Sequence, residues 1–330
     1  MRIAVWSHPY REFPEGADSA QAMTDRLVEL REAGVELSFP FVAVSGQVYF
    51  HSETLGAPDR ELLGPYMEAA REVGVRVHPV IGLGGPVGIG RGLYEPPLDY
   101  QDVPEWAMSW PCASWGENHE RTVLLANELI ERYQPDGLHL DYARYPNADV
   151  LVDNPCTCPR CQQARLQWLG KPYPEPYDLR KPGVVFKELQ MRIEFVRSFV
   201  ESVRGLTDHH QIRLSAAVRA RYYEDALVEG QDWAEWCDDG LLDIVCPMSY
   251  TLSFGSFAKL VAQHRRLLSE AQVQWLAGIG LSSSAGDLDF DALDRQIRFA
   301  AQAGAPGVCI FHAAAIGPQE LSLIAKLSSL

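Results

Sequence analysis

An α/β fold, a single-domain (β/α)8 (TIM) barrel over residues 1–330, is what the sequence predicts, and three observations predict it. Short apolar runs rich in β-branched and aromatic residues alternate with longer amphipathic stretches along the whole chain, eight of each. Several amphipathic stretches stop at a Gly that leads directly into the next apolar run, as in REAGVEL, REVGVRV and AQAGAPGV, the pattern of a left-handed helix stop and a short αβ turn. The apolar runs are continuous rather than alternating, as expected of parallel strands covered on both faces.

In chain order the strands are predicted at 2–8 (RIAVWSH), 36–43 (ELSFPFVA), 75–82 (VRVHPVIG), 137–143 (GLHLDYA), 213–220 (RLSAAVRA), 243–250 (DIVCPMSY), 275–280 (WLAGIG) and 307–312 (GVCIFH). Helices are predicted near 18–33, 58–73, 118–134, 184–206, 226–238, 256–270, 288–303 and 317–329. The glycine-rich GLGGPVGIGRG (82–92) follows a strand, but no amphipathic helix starts directly behind it. It is read as a loop and not as a dinucleotide phosphate cradle. Three strand-to-helix connections are long, 83–117, 143–183 and 220–231, after strands 3, 4 and 5. In a barrel these open at the C-terminal face, where active sites are built.

Composition narrows the function. Lys plus Arg number 29 against 44 Asp plus Glu, a net charge of −15, and no basic cluster offsets it. Nucleic acid and anionic membranes demand a basic footprint, so neither is an expected partner. No apolar run approaches the ~18 residues of a membrane span, and the N-terminus reaches Arg11 and Glu12 before an apolar targeting region forms. The expectation is a cytoplasmic protein. Its seven cysteines are odd in number, and Cys246 and Cys309 fall inside predicted strands, which fits free thiols in a reducing compartment.

The most informative stretch is YQPDGLHLDYARYP (133–146). Along its strand His139 and Asp141 share parity, so both point to one side, with Asp141 nearer the C-terminal rim where barrel enzymes place reacting groups. The structural alternative is an Asp salt-bridged to Arg144.

WSHPYR, LREAGVELSFPFVAVSGQVYF, AREVGVRVHPVIG, ERYQPDGLHLDYARYP, GQDWAEW, DGLLDIVCPMSYT and LAGIG occur in this order. Together they resemble the (β/α)8 barrels called glycosyl-hydrolase-like family 10, whose DGIHxDYxRYP signature is similar to DGLHLDYARYP. The resemblance implies a carbohydrate-active barrel with Asp141 at its centre. A more distant likeness to family 18 chitinases rests on DGLHLDYARYP and CPMSYT. Here His139, Ala143 and Thr251 stand where those enzymes carry Asp, the catalytic Glu and Asp, so the acetamido-assisted mechanism is not expected.

Glycosidic hydrolysis usually requires a carboxylate pair. Asp141 is the first member, and Glu224 or Asp225 in RARYYEDALVEGQDW (219–233) is the second. Asp232 in the same stretch is read as a helix cap, with Glu235 at the capping-box spacing. Sugar rings stack on aromatic faces and need directional hydrogen bonds. Trp106, Trp110, Trp115, Tyr142, Arg144, Tyr222, Tyr223 and Tyr250 suit this, with His8, His78, His139 and His312 as hydrogen-bonding groups at strand ends. Two other readings remain: a metal-dependent hydrolase using those histidines with Asp141, and a catalytically silent carbohydrate-binding barrel. No cofactor is expected, and the oligomeric state is left open. CTCPRC places Cys156, Cys158 and Cys161 in a CxCxxC array, one ligand short of a structural metal site. The resemblance suggests a loop staple; zinc, a local disulfide and three free thiols all remain open.

Overall fold

The computed structural model describes residues 1–88, 90, 92–96, 103–151, 154–172 and 178–328. Residues 89 and 91 of the glycine-rich run, and 329 at the end of the last predicted helix, lie outside the described residues. At the centre is a nine-stranded sheet of β1 (Arg2–Ser7), β2 (Val35–Pro40), β3 (Arg76–Val77), β4 (Val80–Ile81), β5 (Gly137–Leu140), β6 (Arg213–Arg219), β7 (Ile244–Met248), β8 (Gln274–Gly280) and β9 (Gly307–Phe311). Their order is β3-β2-β1-β9-β8-β7-β6-β5-β4, and every pairing is parallel.

The two terminal strands of this order are consecutive pieces of one segment. The sequence predicts a continuous strand at 75–82, but Pro79 has no N–H to give the ladder, which is interrupted at His78 and Pro79. On one side His78 N–H donates to Ser38 O at 3.0 Å; on the other His139 N–H donates to Pro79 O at 3.0 Å and Asp141 N–H to Ile81 O at 2.9 Å. The segment thus pairs with β2 on one side and β5 on the other, and the sheet curls round on itself.

Helices α1 (Ala20–Glu32), α2 (Leu63–Val73), α3 (Gly116–Tyr133), α4 (Pro182–His210), α5 (Trp233–Asp238), α6 (Phe254–Leu267), α7 (Phe290–Gln302) and α8 (Pro318–Leu327) connect and follow the strands. Side-chain caps start several of them: Ser19 accepts from Ala22 N–H, Ser253 from Ser256 N–H and Asp289 from Ala292 N–H. Asp232 caps α5 through Glu235 N–H at 3.3 Å. The helix predicted at 226–238 is reduced to its last six residues, because Gly230 is left-handed (φ +80°) and Tyr222–Ala226 forms a separate π-helical turn. The long connections carry short helices of their own, Glu105–Met108 after β4, and Ala148–Leu151 and Pro159–Leu169 after β5. No helix among the described residues is long and apolar enough to cross a membrane.

Alternating strand parity produces two apolar shells. Ile3, Val5, Leu138, Val218, Val245 and Ile310 face the helices, while Ala4, Trp6, Leu37, Phe39, Ala217, Cys246 and Cys309 pack inside the curled sheet. The inward set continues upward to Asp141 after β5 and Arg219 at the end of β6.

Candidate active site

Asp141 follows the last residue of β5 and is buried at the C-terminal end of the sheet. Gly137 lets β5 start close against its neighbours: a Cβ there would lie 2.5 Å from Arg213 O and 2.7 Å from the His78 ring. After Asp141 the chain turns sharply, with Tyr142 at φ +53°. That conformation is uncommon for a bulky residue. It is held by Tyr142 O, which accepts from Gly84 and Arg144 N–H, while Tyr142 N–H donates to Asp141 Oδ1 at 2.7 Å. Burial pushes the Asp141 carboxyl from 3.8 up to about 6, against the opposing pull of Arg144, the Tyr142 N–H and Arg219.

Asp141 lies on the wall of a cavity of about 550 Å³ that also meets Trp6, His8, Tyr142, Tyr250 and Phe311. Arg11, Arg144, Arg219 and Arg221 line it as well, together with a second carboxyl, Asp225. An adjoining hollow of about 640 Å³ shares Tyr142, Arg144 and Arg219 and adds Trp106, Trp110 and Asn147. A larger hollow of about 1010 Å³ on the flank, lined by Thr54, Trp115, Glu117 and Arg121 among others, includes no strand-end residue.

The arginines are fixed from behind. Glu229, 1% exposed, sits 2.8 Å from Arg219 Nε and 3.3 Å from Arg144 Nη1, and accepts from Ala148 N–H at 3.0 Å. Arg219 also donates to Asn147 Oδ1 at 2.6 Å. Burial works against the Arg219 charge, but Glu229, Asp225 and Asp141 outweigh it and raise its pKa. Arg144 therefore pairs with Glu229 and not with Asp141; its guanidinium lies over the rings of Tyr142 (4.7 Å) and Trp110 (5.2 Å).

The other expected site residues separate into two groups. Asp225 lines the cavity and lies 3.7 Å from Arg221, whereas Glu224 is exposed and faces an outer groove with Lys259 and Gln263. Tyr250 reaches the cavity packed on Phe311 and edge-on to Trp6. Trp106 keeps 43% of its surface exposed, Trp110 is buried with its indole N–H on Arg144 O, and Trp115 lies on the flank. Tyr222 turns inward to hydrogen-bond Asp232, and Tyr223 is exposed.

His8 lines the cavity, stacked on Phe41 at 4.6 Å with His312 edge-on behind it. Burial lowers its pKa to about 3, and lowers that of His312 as well, so both rings are neutral near pH 7. His78 and His139 are not on the cavity wall. They lie one layer deeper, fully buried, and His139 is stacked under Phe39 at 3.8 Å. Trp6 Nε1–H donates to His139 Nε2 (3.0 Å), which leaves the ring proton on Nδ1, directed at Ser215 Oγ (2.9 Å). Ser215 gives its own proton to Leu138 O and accepts from His78 Nδ1 at 2.9 Å. A metal centre of these histidines with Asp141 finds no geometric support. Among the described residues, the side chains gathered closely enough to hold an ion are four cysteines elsewhere.

Ser215→Ala should leave two buried imidazole N–H groups unpaired and cost about 2–4 kcal/mol in urea unfolding. A loss under about 1 kcal/mol would mean that the rings find other acceptors.

No protein-family model matches the sequence, and no curated protein sequence matches it. Solved structures do. The PgaB (BpsB) glycoside hydrolase domain from Bordetella bronchiseptica superposes with a TM-score of 0.75 at 14% identity, over 98% of this chain and 97% of that one. The fold is glycoside hydrolase-like. The catalytic domain of a β-amylase from Paenibacillus polymyxa (TM-score 0.66, 11% identity, 98% and 97% covered) has a similar fold. So does a class V chitinase from Pseudomonas fluorescens (0.58, 9%, 98% and 98%).

Arg219, Asn147 and Glu229 are among the site residues that sequence reasoning misses, with Trp6, Arg11, Arg221 and Phe311 on the cavity wall. Arg219 had a detectable mark, since it shares parity with Ser215 and Ala217 at the rim end of β6. Glu229 is one acid among several in its loop, and only its burial distinguishes it.

Proposed function

We propose that the chain is a single-domain (β/α)8 glycoside hydrolase of the glycosyl-hydrolase-like family 10 type, cleaving a glycosidic bond in an oligosaccharide or glycoside. The observation that carries this reading is Asp141: a carboxyl at a strand end, on the wall of an aromatic-walled cavity, with its pKa brought to about 6 by burial. A carboxyl in that range retains a proton to deliver to a departing glycosidic oxygen. The motif likeness and the glycoside hydrolase-like fold support the same reaction class.

Asp225, on the wall of the same cavity, is the proposed partner, acting as nucleophile or as base toward water. Arg219 then stands in the field of both carboxylates and of Glu229. Tyr142, Tyr250 and His8 line the reacting subsite, and exposed Trp106 is a stacking platform for a sugar one position further along.

The test is product release from a panel of oligosaccharides and aryl glycosides. Asp225→Asn should lose at least about a hundredfold in kcat, while Glu224→Gln, exposed outside the cavity, should keep wild-type rates. Trp106→Ala should raise KM several-fold for longer substrates and change stability by no more than about 0.5 kcal/mol. Calorimetric binding without turnover of any substrate in the panel would indicate a silent carbohydrate-binding barrel. Neither binding nor turnover across the panel would sink the proposal.

A further inference from the structure

Away from the cleft, Cys112 in the connection after β4 meets Cys156, Cys158 and Cys161 in the connection after β5. All four are buried, none is in a disulfide, and their sulfur atoms lie within 4.8 Å of one another. Cys112 Sγ is 3.6 Å from Cys161, 3.7 Å from Cys156 and 3.8 Å from Cys158. Disulfide sulfurs sit about 2.05 Å apart. A tetrahedral zinc with Zn–S bonds of about 2.3 Å separates its sulfurs by about 3.8 Å. We propose that these four cysteines bind zinc as thiolates, in a structural site that clamps the two long connections together.

The surroundings suit a tetrathiolate. Donors converge on the sulfurs: Glu95 N–H reaches Cys156 Sγ at 3.4 Å, and Ser114 Oγ lies 3.4 Å from Cys158 and 3.3 Å from Cys161. Tyr145 OH is 3.7 Å from both Cys112 and Cys161. Such contacts orient metal ligands and spread their charge. Charge balance points the same way. Among the described residues, Arg165 and Arg192, both buried, pair with one buried glutamate, Glu188, two positive charges against one negative. Arg165 also donates to Cys156 O at 2.6 Å, which brings that excess against the cluster. A zinc held by four thiolates carries two net negative charges, and the neighbouring positive charge offsets one of them.

The clamp reaches the cleft through the backbone. Tyr145, packed on the sulfurs, is adjacent to Arg144, whose carbonyl accepts from Trp110 two residues before Cys112. Zinc binding displaces the thiol protons to solvent and leaves the sulfurs as ligands, with no change of oxidation state. This inference does not depend on the hydrolase reading.

Elemental analysis of the purified full chain should find about one zinc per molecule. Exchange for cobalt should produce the thiolate charge-transfer and tetrahedral d–d absorption of a four-sulfur site. Cys158→Ser should abolish the stoichiometric zinc, while Cys237→Ser, buried elsewhere, should retain it. Because the first variant risks misfolding, a thiol-specific mercurial added to wild-type protein is followed with a zinc indicator, and should release one equivalent. Iron in place of zinc, a disulfide among these cysteines by mass spectrometry, or four reactive thiols without bound metal would each overturn the proposal.

Discussion

Asp141→Asn should lose between about a hundredfold and ten-thousandfold in kcat on glycosides with poor leaving groups, yet fold at least as stably as the parent at neutral pH. The activity loss follows from the proposed proton donation: an amide holds the shape of the carboxyl and delivers no proton. Aryl glycosides with good leaving groups should be affected less, a selectivity that a merely structural aspartate would not produce. The stability gain follows from linkage. In the folded protein the Asp141 pKa is about 6, above its ordinary 3.8, because burial penalises the charge. The folded state therefore holds the proton more tightly than the unfolded chain. Stability is lost as pH rises from about 4 to about 6, and the full penalty persists above that window. A gap of this size corresponds to at most about 3 kcal/mol, which asparagine removes. Thermal unfolding should find the two proteins alike near pH 4 and the variant more stable at pH 7.5. Activity of the parent should fall as pH rises past about 6. A variant with near-parental kcat would remove Asp141 from the chemistry.

Glu229→Ala should be the most damaging substitution near the cleft, costing about 3–5 kcal/mol of stability, since it strips a buried carboxylate from two arginines and an amide. Arg144 and Arg219 would then repel each other with no intervening negative charge. Their uncompensated field should also draw the Asp141 pKa down and move the alkaline limb of the pH profile to lower pH. Glu229→Gln, which keeps an acceptor for Ala148 N–H, should fall between the two. Denaturant midpoints measure the first effect and pH-rate profiles the second. A loss below about 1 kcal/mol would show that water reaches the pair and screens it.

These effects mark the boundary of what the sequence reveals. The strands were legible because each is a local apolar run, and Asp141 because a carboxylate after a buried strand is conspicuous. The interruption at His78 was also within reach, since Pro79 forbids a continuous ladder. What escaped depends on residues distant in the chain. Cys112 lies 44 residues before Cys156, and no local spacing joins them. Glu229 differs from exposed Glu224, five residues earlier, in its burial and in the two arginines and the Ala148 amide it meets, set largely by distant chain. His139 shared Asp141's parity as expected, but parity sets the side of a strand and not the depth, and Trp6 and Phe39 enclose the ring. The long helix expected from 226 ignored what left-handed Gly230 does to a helical path.

The divided segment around His78 and Pro79 also governs how the sheet comes apart. Short ladders hold it to its neighbours, Arg76 and Val77 to β2 with one further bridge from Val80 to Phe41, and Val80 and Ile81 to β5, whereas β1 and β9 are joined over five residue pairs. Local opening free energies follow the extent of paired backbone, which makes this segment the zipper of the molecule and the β1–β9 join its hem. While the zipper is shut, β3 and β4, the end strands of the described sheet, are one segment engaged on both sides, which limits edge pairing with another chain. Fluctuations that part it would expose the backbone of β2 and β5 together, directly beneath Asp141, so resistance to aggregation and the shape of the cleft depend on the same few hydrogen bonds.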